Sequence, residues 1–163
     1  MKGYTFTNYN KEHMARVIGM ALPISVKQSV EICSFIKKKE VVNVKKILQS
    51  VIDKKTAIPF KRYNWDLGHK KKIGPGRYPE KESKIILKLI EGAEANAQFK
   101  GLNTSSLVIA HISAHKAGKA WHYGRKSRRK MKRTNIEIVI EEKSKKSDDE
   151  KVEVQQNKKR KVI

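Results

Sequence analysis

The chain has few of the residues that support a disulfide-bonded, zinc-binding or membrane-embedded protein. Cys33 is its single cysteine, so neither an intrachain disulfide nor a cysteine-based zinc site can form. No apolar run is long enough to span a membrane, and the N-terminal stretch has no apolar signal core. We therefore expect a soluble protein of a reducing compartment, with Cys33 as a small core residue.

Acidic residues are also scarce, and this imbalance constrains the partner. The chain of 163 residues has 38 Lys and Arg against 16 Asp and Glu, for a net charge of +22. Such a chain repels itself and requires an anionic partner. Nucleic acid is the first candidate. A membrane surface is second, but no helix pairs a wide apolar face with a basic one.

Hydrophobic periodicity predicts three helices, within residues 23–39, 40–55 and 80–101. Ser25 and Gln28 form a capping-box pattern at the first helix. Pro79 suits the first turn of the third helix, and Gly101 can close it. Residues 105–115 and 135–142 alternate as strands do. Residues 56–79 hold three prolines and three glycines, which predict a long loop without a long helix or a central strand.

This element order predicts an α+β fold with three helices packed on a small antiparallel β-sheet and a long β-hairpin extension. Residues 1–22 are expected to be an extended N-terminal arm that orders on a partner. Residues 23–142 form the globular domain, which includes the basic loop 56–79 and a hairpin 114–133 that protrudes roughly 30 Å. Residues 143–163 have the composition of a disordered charged tail.

The basic residues concentrate in two segments. No Asp or Glu occurs from Ala95 to Ile136, a window that carries ten Lys or Arg. Since a solvated face normally mixes signs, this window indicates a bound polyanion. The loop interleaves cations with aromatic rings, as RNA-contacting segments do, although Phe60 and Tyr63 suit a small loop core equally well. The candidate RNA-binding residues are Lys61, Arg62, Tyr63, Trp65, Lys70, Lys71, Lys72, Arg77, Lys116, Lys119, Arg125, Lys126, Arg128, Arg129, Lys130, Lys132 and Arg133.

Other chemistry has little support in the sequence. His111 and His115 share a strand face, but no third ligand stands nearby in the sequence, so no metal site is expected. The stretch GPGRYP lacks the G-K-[ST] of a phosphate-binding loop. We expect no catalytic residues and no cofactor, and hence no enzyme. Two alternatives stay open on the residues alone: a free nucleic-acid-binding protein of chromatin or RNA-chaperone type and, less favoured, an RNA-modifying or RNA-cleaving enzyme.

Six stretches resemble the universal large-subunit ribosomal protein twenty-two family, in its archaeal and eukaryotic branch. They are PFKRYN (59–64), GRYP (76–79), EANAQFKGL (94–102), SLVIAHI (106–112), NIEIVIEE (135–142) and the helical pattern at 15–39. The eukaryotic members are known as large-subunit ribosomal protein seventeen. Before Gly124 the chain departs from the family pattern, since AWHY stands there in a shortened segment.

The resemblance implies a cytoplasmic, non-catalytic constituent of the large ribosomal subunit. Its hairpin would line the nascent-peptide exit tunnel with a tip formed by Trp121, His122, Tyr123, Gly124 and Arg125. Its implied partners are large-subunit rRNA, neighbouring large-subunit proteins near the tunnel and the nascent polypeptide, and no homo-oligomer is expected.

Overall fold

The computed structural model describes residues 4–143, which comprise three helices and six strands in addition to short 3₁₀ turns. The predicted tail therefore lies outside the described residues, apart from Lys143. The α+β class with three helices and a long hairpin is confirmed. The elements are β1 (Met14–Leu22), α1 (Val26–Ile36), α2 (Val41–Ile52), β2 (Ile58–Pro59), β3 (His69–Lys70), β4 (Gly74–Arg77), α3 (Glu80–Phe99), β5 (Leu107–Lys116) and β6 (Thr134–Glu142).

The main sheet is antiparallel, with β6 between β1 and β5. Ile136, Ile138 and Ile140 of β6 are fully buried. Their alternate spacing places them on one face of the sheet, and α1 and α3 pack against this sheet while α2 packs against α3. Burial of each such side chain stabilises the fold by about 1.5–3 kcal/mol. The core therefore lies between the sheet and the helices, and both loop and hairpin project from it.

The prediction that residues 1–22 form an extended arm is wrong for residues 14–22, which form strand β1. Met14 pairs with Glu141 and Ile18 pairs with Glu137. The strand MARVIGMAL was missed because it does not alternate: Met14 and Ala15, which point to opposite faces, are both buried. Apolar residues occupy both faces of this strand, because Ile18 and Met20 stand on the same face as the exposed Arg16, and the polar–apolar alternation of a half-buried strand is therefore missing.

The first residues of the arm lie on the chain's own sheet. The Glu137 carboxylate accepts hydrogen bonds from the Thr5 N–H (2.9 Å), the Thr5 hydroxyl (2.8 Å) and the Phe6 N–H (3.1 Å). The Phe6 ring lies 5.1 Å from the His111 ring. The Arg16 guanidinium lies 4.2 Å from the Tyr4 ring centre and 4.4 Å from that of Tyr9. The arm thus covers the face of the sheet opposite the helices.

The start of α1 is held by a tertiary contact and not by the predicted capping box. Ser25 makes no side-chain cap. Its N–H donates instead to Glu82 of α3 (3.2 Å), and the Gln28 amide lies 2.7 and 2.9 Å from the two oxygens of the same carboxylate. Further along α1, burial raises the pKa of the Cys33 thiol to about 12, which agrees with its interpretation as a core residue.

The predicted loop at 56–79 contains a small sheet in which β4 is the middle strand. The expectation that Pro and Gly forbid a central strand is therefore wrong. Pro75 is tolerated in β4 because it bonds to its neighbour as an acceptor: its carbonyl oxygen accepts the N–H of Phe60, which directly follows β2 (2.9 Å). Because β4 is only four residues long, the N–H that proline lacks interrupts no long ladder of hydrogen bonds. Phe60 is buried in the core, and Tyr63 packs partly against it.

Candidate nucleic-acid interface

The hairpin continues well beyond the ends of β5 and β6. The Ala117 N–H donates to the Arg133 carbonyl (3.2 Å), and further out the His122 N–H donates to the Arg129 carbonyl (2.8 Å). This ladder reaches roughly 20 Å past Lys116. A 3₁₀ turn at Gly124–Lys126 closes the tip. Gly124 has a φ of +64°, a conformation that glycine adopts without steric strain.

The cations of the hairpin have no acidic partners in the part of the chain that the structure describes. The ion pairs among residues 4–143 lie elsewhere, at Lys45–Glu94, Lys54–Glu80 and Lys55–Asp53, and His111 forms one with Glu137 only when its ring is protonated. Eight of the nine hairpin cations are exposed, and Arg133 is half-buried. The hairpin is thus a ribbon of unneutralised positive charge. The nine are Lys116, Lys119, Arg125, Lys126, Arg128, Arg129, Lys130, Lys132 and Arg133.

The aromatic side chains near the tip are also solvent-exposed. Tyr123 is 88% exposed and Trp121 is 58% exposed. The Lys130 ammonium lies 4.6 Å from the Trp121 ring centre, a cation–π contact across the two arms. Exposed rings flanked by cations can stack on nucleobases or contact an extended polypeptide.

Glu31 of α1 fixes the base of the loop. Its buried carboxylate accepts from the backbone N–H groups of Lys61 (3.1 Å), Arg62 (2.8 Å) and Tyr63 (2.8 Å). These three bonds organise the backbone that carries the exposed cations Lys61 and Arg62. Sequence reasoning did not identify Glu31, because nothing in the spacing of α1 shows that a loop thirty residues later folds over it.

The remaining loop candidates surround the small sheet. Trp65 is 86% exposed, as expected from its polar neighbours. The Lys70 ammonium lies 5.4 Å from the centre of the Tyr78 ring. Lys71, Lys72 and Arg77 are exposed. The loop therefore presents a second cationic and aromatic surface, separate in sequence from the hairpin.

The structure also brings part of the two segments together in one cleft of about 510 Å³. Its lining combines Tyr63 of the loop with four hairpin cations and with Lys27 from the first turn of α1. Sequence reasoning missed Lys27, which has no other basic residue beside it in the sequence. None of the loop cations lines this cleft, and neither do the tip cations from Arg125 to Lys130.

The two strand histidines are not arranged for metal binding. Within residues 4–143 no group of three His, Cys, Asp or Glu side chains could hold a metal ion. Burial, with smaller contributions from Lys37 and His115, holds the pKa of His111 below 6.5 despite the nearby Glu137 carboxylate. Burial would raise the pKa of Glu137, but hydrogen bonds from Thr5 and Phe6 and the His111 ring outweigh it and lower that pKa.

No helix within residues 4–143 combines the length and the apolar character needed to cross a membrane.

Comparisons with known proteins identify the family of the chain. The family described as ribosomal protein L22p/L17e matches residues 17–141. The large ribosomal subunit protein uL22 of Archaeoglobus fulgidus is 37% identical over 146 residues, covering 85% of this chain and 94% of that protein. The uL22 protein of Nanoarchaeum equitans is 40% identical over 141 residues, covering 80% of each. That of Staphylothermus marinus is 37% identical over 150 residues, covering 85% of this chain and 96% of its own length.

These relatives confirm the resemblance and the prediction that the protein is not an enzyme. The chain belongs to the ribosomal protein L22p/L17e family.

Proposed function

We propose that this chain is a structural constituent of the large ribosomal subunit in the cytoplasm, where it binds large-subunit rRNA and supports subunit assembly. The observation that carries the proposal is the hairpin with nine cations, none of which has an acidic partner among residues 4–143. Phosphate groups neutralise such a ribbon by displacing condensed counterions, with little sequence readout. The relatives are named as large-subunit proteins, which supports rRNA as the source of the phosphates.

The hairpin tip would line the nascent-peptide exit tunnel. Two properties support this role: a narrow two-stranded ribbon extends away from the core, and its tip presents Trp121, His122 and Tyr123 without burying them. The globular part and the loop 56–79 would contact rRNA and neighbouring proteins around the tunnel. The nascent polypeptide would pass the tip.

The salt dependence of RNA binding tests the rRNA contact. If six to ten cations meet phosphates, the affinity for a large-subunit rRNA transcript should fall about 10³- to 10⁵-fold between 50 and 200 mM salt. Replacing Arg128, Arg129 and Lys130 with Gln should reduce the slope of log affinity against log salt by about 2 to 3.

A matched control removes the same charge from a different surface. Lys81, Lys84 and Lys88 are exposed on α3, and their replacement with Gln should leave the slope nearly unchanged. Equal slopes for the two triple variants would argue against the hairpin as the RNA-binding element. A flat salt response of the unaltered protein would refute the electrostatic proposal altogether.

Site-specific crosslinking tests the tunnel contact separately. A photoreactive phenylalanine at Tyr123 should crosslink to a stalled nascent chain in purified ribosomes. The same residue at Phe99 is the control, because Phe99 is 94% exposed but lies at the end of α3 on the globular part. Equal crosslinking at both positions, or none at Tyr123, would exclude the tip from the tunnel wall.

A further inference from the structure

The cleft at the base of the hairpin lies between two parts of the molecule. One wall is formed by the start of α1 and by Tyr63, and it carries Lys27. The other wall is formed by both arms of the hairpin. Among residues 4–143 no acidic side chain lines the cleft, whose volume is about 510 Å³. The lining residues are Ser25, Val26, Lys27, Tyr63, Lys116, Lys119, Lys132 and Arg133.

Few polar contacts tie the hairpin to the rest of the chain. Within the described residues, the hydrogen bonds of 117–132 all stay inside the hairpin. Where the hairpin leaves the sheet, Arg133 donates to the Ala21 carbonyl (3.4 Å) and Thr134 donates to the Ile24 carbonyl (2.9 Å). An isolated two-stranded ribbon is only marginally rigid in water. The direction of the outer hairpin is therefore weakly determined by the protein alone.

We propose that the cleft binds closely spaced phosphate groups of an RNA backbone and thereby fixes the direction of the hairpin relative to the globular part. This inference rests on the proposed rRNA binding and assigns it a specific site. Five cations from three segments of the chain converge on one cavity. Like charges held together repel each other, so a bound polyanion both removes the repulsion and bridges Lys27 to the hairpin lysines.

RNA is favoured over an acidic polypeptide because the cations continue from the cleft along the second arm, through Lys130, Arg129 and Arg128, to the tip, which is the continuous track that a sugar–phosphate backbone requires. The sequence pattern did not show this site, since Lys27 and Lys119 are 92 residues apart in the chain and meet only through the fold.

Inorganic pyrophosphate is a suitable probe, because it offers two linked phosphate groups without a base. In calorimetric titrations of the full chain at low salt, Lys27→Gln and Lys119→Gln should each weaken pyrophosphate binding about tenfold, the loss expected for one charge-assisted hydrogen bond. Lys84→Gln on α3 should weaken it less than twofold. Because one ligand bridges both lysines, the double variant should lose less than the product of the single losses.

Hydrogen exchange reports the effect on the hairpin itself. Pyrophosphate should slow exchange of the Ala117 and Met131 amides in the unaltered protein, and it should have no such effect in Lys27→Gln. If Lys27→Gln and Lys84→Gln weaken binding equally, or if sodium chloride at equal ionic strength slows the same amides, the cleft is not a site and the inference is refuted. The inference is also refuted if poly-glutamate, an acidic peptide, slows exchange of these amides more strongly than a short single-stranded RNA does.

These outcomes are separable from failure of the proposed function. Equal effects of Lys27→Gln and Lys84→Gln on pyrophosphate, alongside tight salt-dependent binding to the rRNA transcript, would refute the cleft alone. Loss of transcript binding in the unaltered protein would refute the proposed function.

Discussion

The Glu31 carboxylate offers the sharpest test of how the basic loop is held. It is 3% exposed, and its two oxygens receive three backbone N–H groups. In Glu31→Gln, the amide oxygen can keep the Arg62 and Tyr63 bonds as neutral hydrogen bonds, but the new NH₂ group faces the Lys61 N–H. One buried donor is then unsatisfied, at about 1–3 kcal/mol, and two charge-assisted bonds weaken.

We therefore expect Glu31→Gln to lower the free energy of unfolding by about 2–4 kcal/mol, measured by urea denaturation. Glu91→Gln is the control, because Glu91 is exposed on α3 and its replacement changes the net charge equally. Its effect should be within about 0.5 kcal/mol. Hydrogen exchange at Lys61, Arg62 and Tyr63 should accelerate only in the Glu31 variant. Equal stability of the two variants, with unchanged exchange at the loop amides, would refute this account of the loop.

Three further predictions concern the arm, the small sheet and the hairpin. Since the folded-state pKa of Glu137 is below its ordinary value of 4.5, its stabilising contribution is present above pH 4.5 and is lost as pH falls through the folded value. Glu137→Gln should flatten the acid limb of a stability–pH curve, and an unchanged limb would contradict this. A Cβ at Gly76 would lie 3.1 Å from the Ile58 carbonyl oxygen, whereas one at Gly118 would meet nothing within 4 Å. Gly76→Ala should therefore lower the melting temperature by several degrees, and Gly118→Ala should not, with equal shifts counting against the packing argument. Replacing residues 117–132 with a short turn should preserve a cooperative thermal transition, since none of these residues is buried; a broad, non-cooperative transition would show that the hairpin supports the core.

The sequence predicted the elements in which apolar residues recur at a regular helical or strand spacing. Val44, Leu48 and Val51 are buried on α2 as their spacing indicated, and Ile136, Ile138 and Ile140 are buried on β6. Strand β1 could not be recognised in the same way, because its second face carries the apolar Ile18 and Met20 beside Arg16, so the sequence does not alternate between polar and apolar residues. Its identity as a strand depends on residues that pair with it from the other end of the chain.

The site was predictable as a charge pattern but not as a geometry. The acid-free window located the hairpin cations, because an excess of one sign is visible in any linear sequence. The small sheet depends on the tertiary acceptor Glu31 and on two-residue strands, which leave no periodic signal. The cleft depends on Lys27, whose neighbours in the sequence give no indication that it faces the hairpin.

The central position of β6 has a consequence for how the chain folds. The last strand of the domain, β6, is the one with which both β1 and β5 pair. Thr5 and Glu137, whose hydrogen bond joins the arm to β6, are 132 residues apart in the chain. During vectorial synthesis the helices can form as they emerge, but β1 and β5 lack a partner until residues 134–142 follow. Such long-range pairing gives a high contact order and slow folding. Completion of the final strand is therefore the step that closes the domain, and shorter nascent chains expose two unpaired strand edges on which chaperones can act.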